Sequence, residues 1–381
     1  MPGSRQKTWE PHYTLTPVIA RKLMEIEAAR AVVEHTPLPP AIEAELRHRA
    51  RVRSTHYSTR IEGNRLTLEE AEQVIAGRRT SFAGRDRDIR EVHNYWHALL
   101  RVEEWAEKKS PFTEELVRRL HALVEHGTRA RPTAYRTGQN AIRDSASGVI
   151  IYLPPQADDV PILMAQMVKW ANQAEKEGLP APVIAGLIHY QFVTIHPFYD
   201  GNGRTGRLLA TLILHRGGYG LQGFLSLEEH HARDLEGYYH SLAVHPHHNY
   251  YEGRAEADLT PWLEYFVKTL AGVFEMVRQE AVRCAREGVP AEPAELRRLD
   301  RRARLVLGLF AKVDTITTTD VAQALGLSGR MVRNLLQEWV ADGWLLVSNP
   351  SKRGRRYSLS AVYRQYVGTL SATPKPERRP G

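Results

Sequence analysis

The chain has 381 residues, 42% hydrophobic and 25% charged, which is ample to bury a core and to form two or three domains. A single cysteine, Cys284, excludes an intramolecular disulfide and fits a reducing compartment; between Arg283 and Arg286 it reads as a bystander thiol. No apolar run reaches the ~20 residues of a spanning helix and the N-terminal residues lack a signal-peptide core, so the expectation is a cytoplasmic protein with no membrane partner, and a net charge of +8 whose location matters.

From Pro17, the positions Ile19, Leu23, Ile26 and Val33 follow helical spacing until Thr36-Pro37-Leu38-Pro39-Pro40 breaks it. A second helix carries Ile42 and Leu46 and leads into Ser58-Thr59-Arg60-Ile61-Glu62-Gly63-Asn64. Ser58 and Glu62, four apart, share a face, and Gly63-Asn64 is a helix stop. Locally this is a capped helix with a polar face. Thr67 and Glu70 form a capping box for the next helix. Residues 85–110 and the segment from Phe112 to Gly127 are helical by periodicity. Tyr135 to Asn140 is irregular, and Ala141 to Leu153 reads as a short hairpin around a turn at Asp144 to Gly148. Helices are expected over Val160 to Ala174 and Ala181 to Ile195, the latter carrying Ile184, Ile188 and Phe192 on one stripe, with His189 as a core histidine.

That helix runs into His196-Pro197-Phe198-Tyr199-Asp200-Gly201-Asn202-Gly203-Arg204-Thr205-Gly206-Arg207, followed by an apolar helix from Leu208. A Gly-rich turn opening a helix presents unpaired N–H groups and the positive end of the helix dipole, an anion site. Arg204 and Arg207 suit two phosphates of a polyphosphate, Asp200 suits a bridging Mg²⁺, and His196 suits proton abstraction near neutrality. The residues therefore point to chemistry at a nucleotide phosphate. Further on, a helix over residues 230–242 carries Tyr238-Tyr239, His245-Pro246-His247-His248 reads as a polar loop, and a long helix spans Pro261 to Arg286.

The stretch resembles the Fic signature, His-Pro-Phe-x-[Asp/Glu]-Gly-Asn-Gly-Arg-x-x-Arg, at all nine fixed positions. The resemblance implies a mainly α fold: an all-helical Fic core over residues 85–287 with a small β-hairpin flap, preceded by an N-terminal helical region, 1–84. It implies transfer of AMP from ATP to a Ser, Thr or Tyr hydroxyl of a target protein, with self-modification, Mg²⁺ and homodimers. His196 is then the base. Asp200, Gly201, Asn202, Gly203, Arg204, Thr205, Gly206 and Arg207 form the nucleotide cradle, with Asp200 on the metal, Asn202 on a phosphate oxygen, Arg204 on the β-phosphate and Arg207 on the γ-phosphate. Tyr238 and Tyr239 lie near the base. The segment 58–64 resembles the inhibitory motif [Ser/Thr]-x-x-x-Glu-[Gly/Asn], which assigns Ser58, Glu62 and Gly63 to autoinhibition, Glu62 pairing with Arg207. The flap, with Ile142, Ile150, Ile151 and Tyr152, is expected to lay an extended target segment beside the site by strand addition.

After a linker at 288–294, residues 295–366 resemble a winged helix-turn-helix domain, and 367–381 read as a disordered tail. Glu295 to Arg364 holds 13 Lys and Arg against 6 Asp and Glu, nearly the whole excess of the chain. Arg330, Arg333, Lys352, Arg353, Arg355 and Arg356 are candidate DNA contacts, with docking to a protein as the alternative. Three alternatives to AMP transfer stay open: transfer of UMP, phosphocholine or phosphate; removal of AMP with Glu62 positioning water; and a DNA-binding regulator whose Fic core senses a ligand.

Overall fold

The computed structural model describes residues 9–77, 82–128, 131–143, 147–286, 294–297, 299–310, 313–349, 351 and 354–367. One compact unit lies within Met1–Thr36 and Arg47–Val282, the other within Pro37–Leu46 and Arg283–Gly381. Residues 1–36 and 47–84 of the N-terminal helical region fall in the first unit. Ile19, Ile26 and Val33 are fully buried, so the apolar stripe of the first helix is part of the main core.

In the first unit, α1 (Pro17–His35) starts with Thr16 accepting a hydrogen bond from Ile19 N at 3.2 Å. The next helix, α2 (Pro40–Ile61), belongs to this unit from Arg47 onward and stops at Gly63, whose φ of 89° is the left-handed conformation a glycine adopts without strain. Then come α3 (Leu68–Ile75), with its Thr67–Glu70 capping box, α4 (Asp86–Glu107) and α5 (Glu114–His126). The hairpin is small: β1 (Ile142–Arg143) pairs antiparallel with β2 (Ile150–Tyr152), bulged between Ile142 and Arg143. Residues 144–146 of its turn lie outside the described residues.

Behind the hairpin, α6 (Val160–Lys176) leads to α7 (Ala181–Ile195) and α8 (Asn202–Arg216). Thirteen of the fifteen residues of α7 are buried, the mark of a central helix apolar on every side. It packs closely on α8, because a β-carbon on Gly206 would lie 2.9 Å from Val193 Cγ1. The helix expected over 230–242 is two: α9 (Glu228–Arg233) and α10 (Leu235–Leu242). The break is Asp234, at φ −123° and ψ 60°, whose carboxylate accepts from Gly237 N at 3.1 Å and restarts the helix as an N-cap. A long helix, α11 (Thr260–Arg286), follows, with Trp262, Phe266 and Phe274 buried.

The second unit contains α12 (Ala294–Arg297), α13 (Arg301–Leu309), β3 (Ile316–Thr317), α14 (Thr318–Leu325), α15 (Gly329–Ala341), β4 (Leu345–Asn349), β5 (Arg356–Leu359) and α16 (Ala361–Val367). The strands form an antiparallel sheet in the order β3-β5-β4. Gly326, at φ 65°, makes the turn between α14 and α15. Val306, Ile316, Val321, Val332, Leu336, Trp339, Trp344 and Tyr357 form its core. Linker residues 288–293, tail residues 368–381, Lys352 and Arg353 lie outside the described residues. Among the described residues no helix is long and apolar enough to cross a membrane.

Candidate active site

The site is built where α7 ends and α8 begins. His196 closes α7 in a left-handed conformation, φ 51° and ψ 59°, and Gly201 precedes α8 at φ 74°. The loop between them is held from several sides. Phe198 is buried and its ring stacks on His121 of α5, centroids 3.7 Å apart. His121 Nε2–H donates to Asp200 O at 2.8 Å. Asn140 Nδ2 donates to Phe198 O at 3.2 Å, and Tyr199 Oη accepts from Gly138 N at 2.9 Å.

His196 Nδ1 lies 3.3 Å from Val193 O. A carbonyl only accepts, so the proton of the neutral ring sits on Nδ1 and Nε2 carries the free lone pair. Burial lowers the His196 pKa to about 4, against opposing effects of Val193 O and Glu62. Above that pH the ring is neutral and able to accept a proton.

No side chain caps α8, so the N–H groups of Asn202, Gly203 and Arg204 face outward without an intrahelical partner. The Asn202 side chain is not free for a phosphate, as had been expected. Its Oδ1 accepts from Phe198 N at 3.0 Å and its Nδ2 donates to Phe198 O at 2.8 Å, so the amide clasps the loop. Thr205 is fully buried and Gly206 faces α7, so these two serve helix packing and not the cradle.

The two arginines differ. Arg204 is buried and ion-paired to Glu125 at 2.7 Å, with Asp200 at 3.6 Å and Glu91 at 3.8 Å. Among the described residues its Nε has no hydrogen-bond partner. Arg207 is bound by the last turns of α2. Its Nε donates to Ser58 Oγ at 2.8 Å, and its Nη2 donates to Ser58 O and Glu62 Oε1, each at 2.9 Å. The expected pair of Glu62 and Arg207 is thus present, with Ser58 as a second clamp. Asn64, just after the helix stop, donates to Glu91 Oε2 at 2.9 Å and ties the α2 terminus to α4.

Asp200 is two-thirds exposed; its Oδ1 accepts from Gly201 N at 2.6 Å and its Oδ2 lies 3.8 Å from Arg87 Nη2. One accessible carboxylate is the donor set that suits Mg²⁺ shared with substrate phosphates. Among the described residues no group of three or more His, Cys, Asp or Glu forms a metal cage.

Several assignments change place. Tyr238 is buried, with Oη 2.9 Å from His189 Nε2, its ring beside Trp262 and its hydroxyl also against the Arg207 guanidinium; Tyr239 stays half exposed. In the flap, Ile150 and Ile151 are exposed, whereas Tyr152 is buried and donates from Oη to Thr194 O at 2.7 Å. Tyr152 therefore anchors the flap to the end of α7. The loop after α10 pairs with the flap exit, Leu153 N donating to His248 O at 2.7 Å.

Sequence reasoning missed Glu91, Glu125, His121 and Arg136. Each acts through partners 60 or more residues away or buried inside the unit, and no local spacing marks them. The one available signal was a basic residue, Arg136, inside an irregular segment that the structure buries.

Comparison with known proteins places this geometry. The profile of the Fic/DOC family matches residues 111–214. The protein adenylyltransferase Fic of Drosophila willistoni is 27% identical over 224 residues, 57% of this chain and 42% of that protein. That of Drosophila mojavensis is 30% identical over 171 residues, 43% and 32% of the two chains. The chain thus spans less than half the length of these relatives. Among solved structures, a Fic family protein from Desulfovibrio desulfuricans G20 is 30% identical, covers 93% of this chain and 99% of its own, and superposes with a TM-score of 0.59. A Fic domain containing signaling protein from Bacteroides thetaiotaomicron VPI-5482 shares the fold at 24% identity and a TM-score of 0.59, covering 73% of this chain and 100% of its own. A histidine at the end of one buried helix, bare N–H groups at the start of the next and a near full-length relative at 30% identity all agree: the chain belongs to the Fic family.

Proposed function

We propose that this chain is a protein adenylyltransferase, moving AMP from ATP to a hydroxyl of a target protein and held off by Glu62. The observation that carries the reading is the committed Nδ1–H of His196, which leaves Nε2 free beside the bare start of α8. The names of the Drosophila relatives support the donor class.

In this mechanism His196 Nε2 takes the proton of the incoming Ser, Thr or Tyr hydroxyl. The oxygen forms a bond to the α-phosphorus and the bond from that phosphorus to pyrophosphate breaks. The N–H groups of Asn202 and Gly203 and the α8 dipole stabilise the phosphate charge. Arg207 meets the γ-phosphate once Glu62 leaves, and Tyr239 flanks the base. Asp200 would hold Mg²⁺, which supplies charge neutralisation at the phosphates. The flap edge at Ile150 and Ile151 receives an extended target segment.

The test is a donor series with the Glu62→Gly protein. Label from α-labelled ATP, with none from γ-labelled ATP, supports AMP transfer. Label from the γ position, from UTP or from a phosphocholine donor instead replaces it with another group transfer.

A second reading concerns the C-terminal unit. Its helix, strand, two helices and hairpin follow the order of a winged helix, and Arg330, Arg333, Arg355 and Arg356 are exposed. These residues support contact with DNA phosphates and base edges. A gel shift that weakens steeply with salt and is lost in Arg330→Ala/Arg333→Ala is expected; a shift unchanged by that pair of substitutions rejects it.

A further inference from the structure

We infer that Arg136 is a positioning residue that locks the flap and the catalytic histidine into one rigid frame, so that the base is in register only when the flap is. The inference rests on the proposed transferase reading for its kinetic part and on geometry alone for the rest.

Arg136 is 3% exposed and lies in the irregular segment before the hairpin. Its contacts reach three stretches of backbone. Nε donates to His196 O at 3.0 Å, and its own backbone N donates to Pro197 O at 2.9 Å. Nη1 donates to Gly138 O at 3.0 Å, where the chain enters the flap. Nη2 donates to Pro155 O, where the chain leaves it. Nη1 also reaches Gln139 Oε1 at 3.3 Å, and Gln139 Nε2 in turn donates to Pro154 O at 2.9 Å. One guanidinium thus fastens both ends of the flap to the carbonyl of His196, while the Arg136 backbone N–H holds the next carbonyl, Pro197 O.

Two physical points make this more than packing. His196 holds a left-handed φ of 51°, an uncommon conformation for a residue with a β-carbon. Such conformations are costly and persist where the surroundings over-determine them. Arg136 restrains the carbonyl of that very residue. In addition, among the described residues no carboxylate forms an ion pair with Arg136; carbonyl dipoles alone satisfy the buried cation. A buried cation without a counter-charge is a costly way to fill space. A fork of fixed N–H directions is what a lysine or an apolar residue cannot supply.

The experiment uses the full chain with Glu62→Gly as parent and Arg136→Lys and Arg136→Met as variants. Hydrogen–deuterium exchange is the readout independent of activity. Faster exchange at 138–143, 150–155 and 196–199 together supports the frame, whereas loosening of the flap alone overturns it. Self-labelling with ATP is the second readout. The expected result is a fall of roughly 100-fold in maximal rate with ATP affinity within twofold of the parent. A parallel loss of rate and ATP affinity, or no loss of rate, overturns the inference. If Arg136→Met does not fold, as judged by circular dichroism, Arg136→Lys, which keeps the charge and loses the fork, decides. If the Glu62→Gly parent itself labels nothing, the transferase reading fails, and the exchange result still decides the frame.

Discussion

Glu62 rests directly on Gly203: a β-carbon there would lie 2.2 Å from Glu62 Oε1, the same oxygen that lies 2.9 Å from Arg207 Nη2. The Glu62 carboxylate therefore occupies the bare side of the glycine turn as well as the arginine. On the proposed reading, one oxygen blocks both the close approach of a phosphate to α8 and the γ-phosphate's ion partner. Glu62→Gly should raise self-labelling by at least tenfold, since misplaced reactants cost on the order of 10²-fold. Equal labelling by the two proteins in a radiolabelled ATP assay rejects autoinhibition by Glu62.

Ser58 is the weaker half of the clamp. Ser58→Ala removes the Arg207 Nε partner and leaves Glu62 in place. A hydrogen bond to a charged group contributes about 1.5–3 kcal/mol, part of which Arg207 regains from water. Activity between the wild type and Glu62→Gly is expected, about several-fold above the wild type. Labelling at or above the Glu62→Gly level contradicts the ranking of the two contacts.

The pH profile of the released enzyme should be flat where an ordinary histidine titrates. Burial lowers His196 to about 4, and Glu62 opposes that shift, so its removal does not raise the value. The neutral base then persists through pH 5.5, and the labelling rate of Glu62→Gly stays level from about pH 5.5 to 7.5. An acid limb centred near 6.5 shows instead that His196 is solvated in the active form. His196→Ala abolishes labelling at every pH; residual labelling removes His196 from the base role.

Acid should also loosen the fold. His56, His121 and His196 are lowered to about 4 and His189 to about 3, chiefly by burial. Between those values and about 6.5 the unfolded chain binds more protons than the folded one, so stability is full above that range and falls as pH drops through it. Each histidine contributes a slope of up to about 1.4 kcal/mol per pH unit there. Urea melts at pH 7 and pH 5 measure it; equal midpoints mean these rings are hydrated in the native state.

Much of this was legible in order along the chain. The helix starts at Thr67 and Thr113 and the stops at Gly63 and Gly127 are local chemistry, and each appears where the caps require. The stretch from His196 to Arg207 was legible because imidazole, carboxylate and glycines are contiguous. Less was visible where a side chain chooses between inside and outside. Tyr238 and Tyr239 are adjacent and identical, and only the position of His189 and Trp262 turns the first inward. Glu125 and Arg204 are 79 residues apart in sequence and meet only because α5 packs beside α8. The break at Asp234 was hidden because one capping residue outweighed a continuous helical pattern.

The buried face of α2 has a thermodynamic consequence. Of the six buried residues from Val52 to Thr59, five are Ser54, Thr55, His56, Ser58 and Thr59. A helix that seats itself through hydroxyls and an imidazole gives up little oily area when it departs, so little heat capacity changes with it. Ser54 Oγ donates to Glu228 Oε2 at 2.8 Å, and Arg53 Nε pairs with Glu229 at 2.6 Å, contacts that water and ions can replace. On the proposed reading, release of the terminal turns is then largely an exchange of hydrogen-bond partners, with Val52 and Ile61 the buried apolar side chains it would uncover.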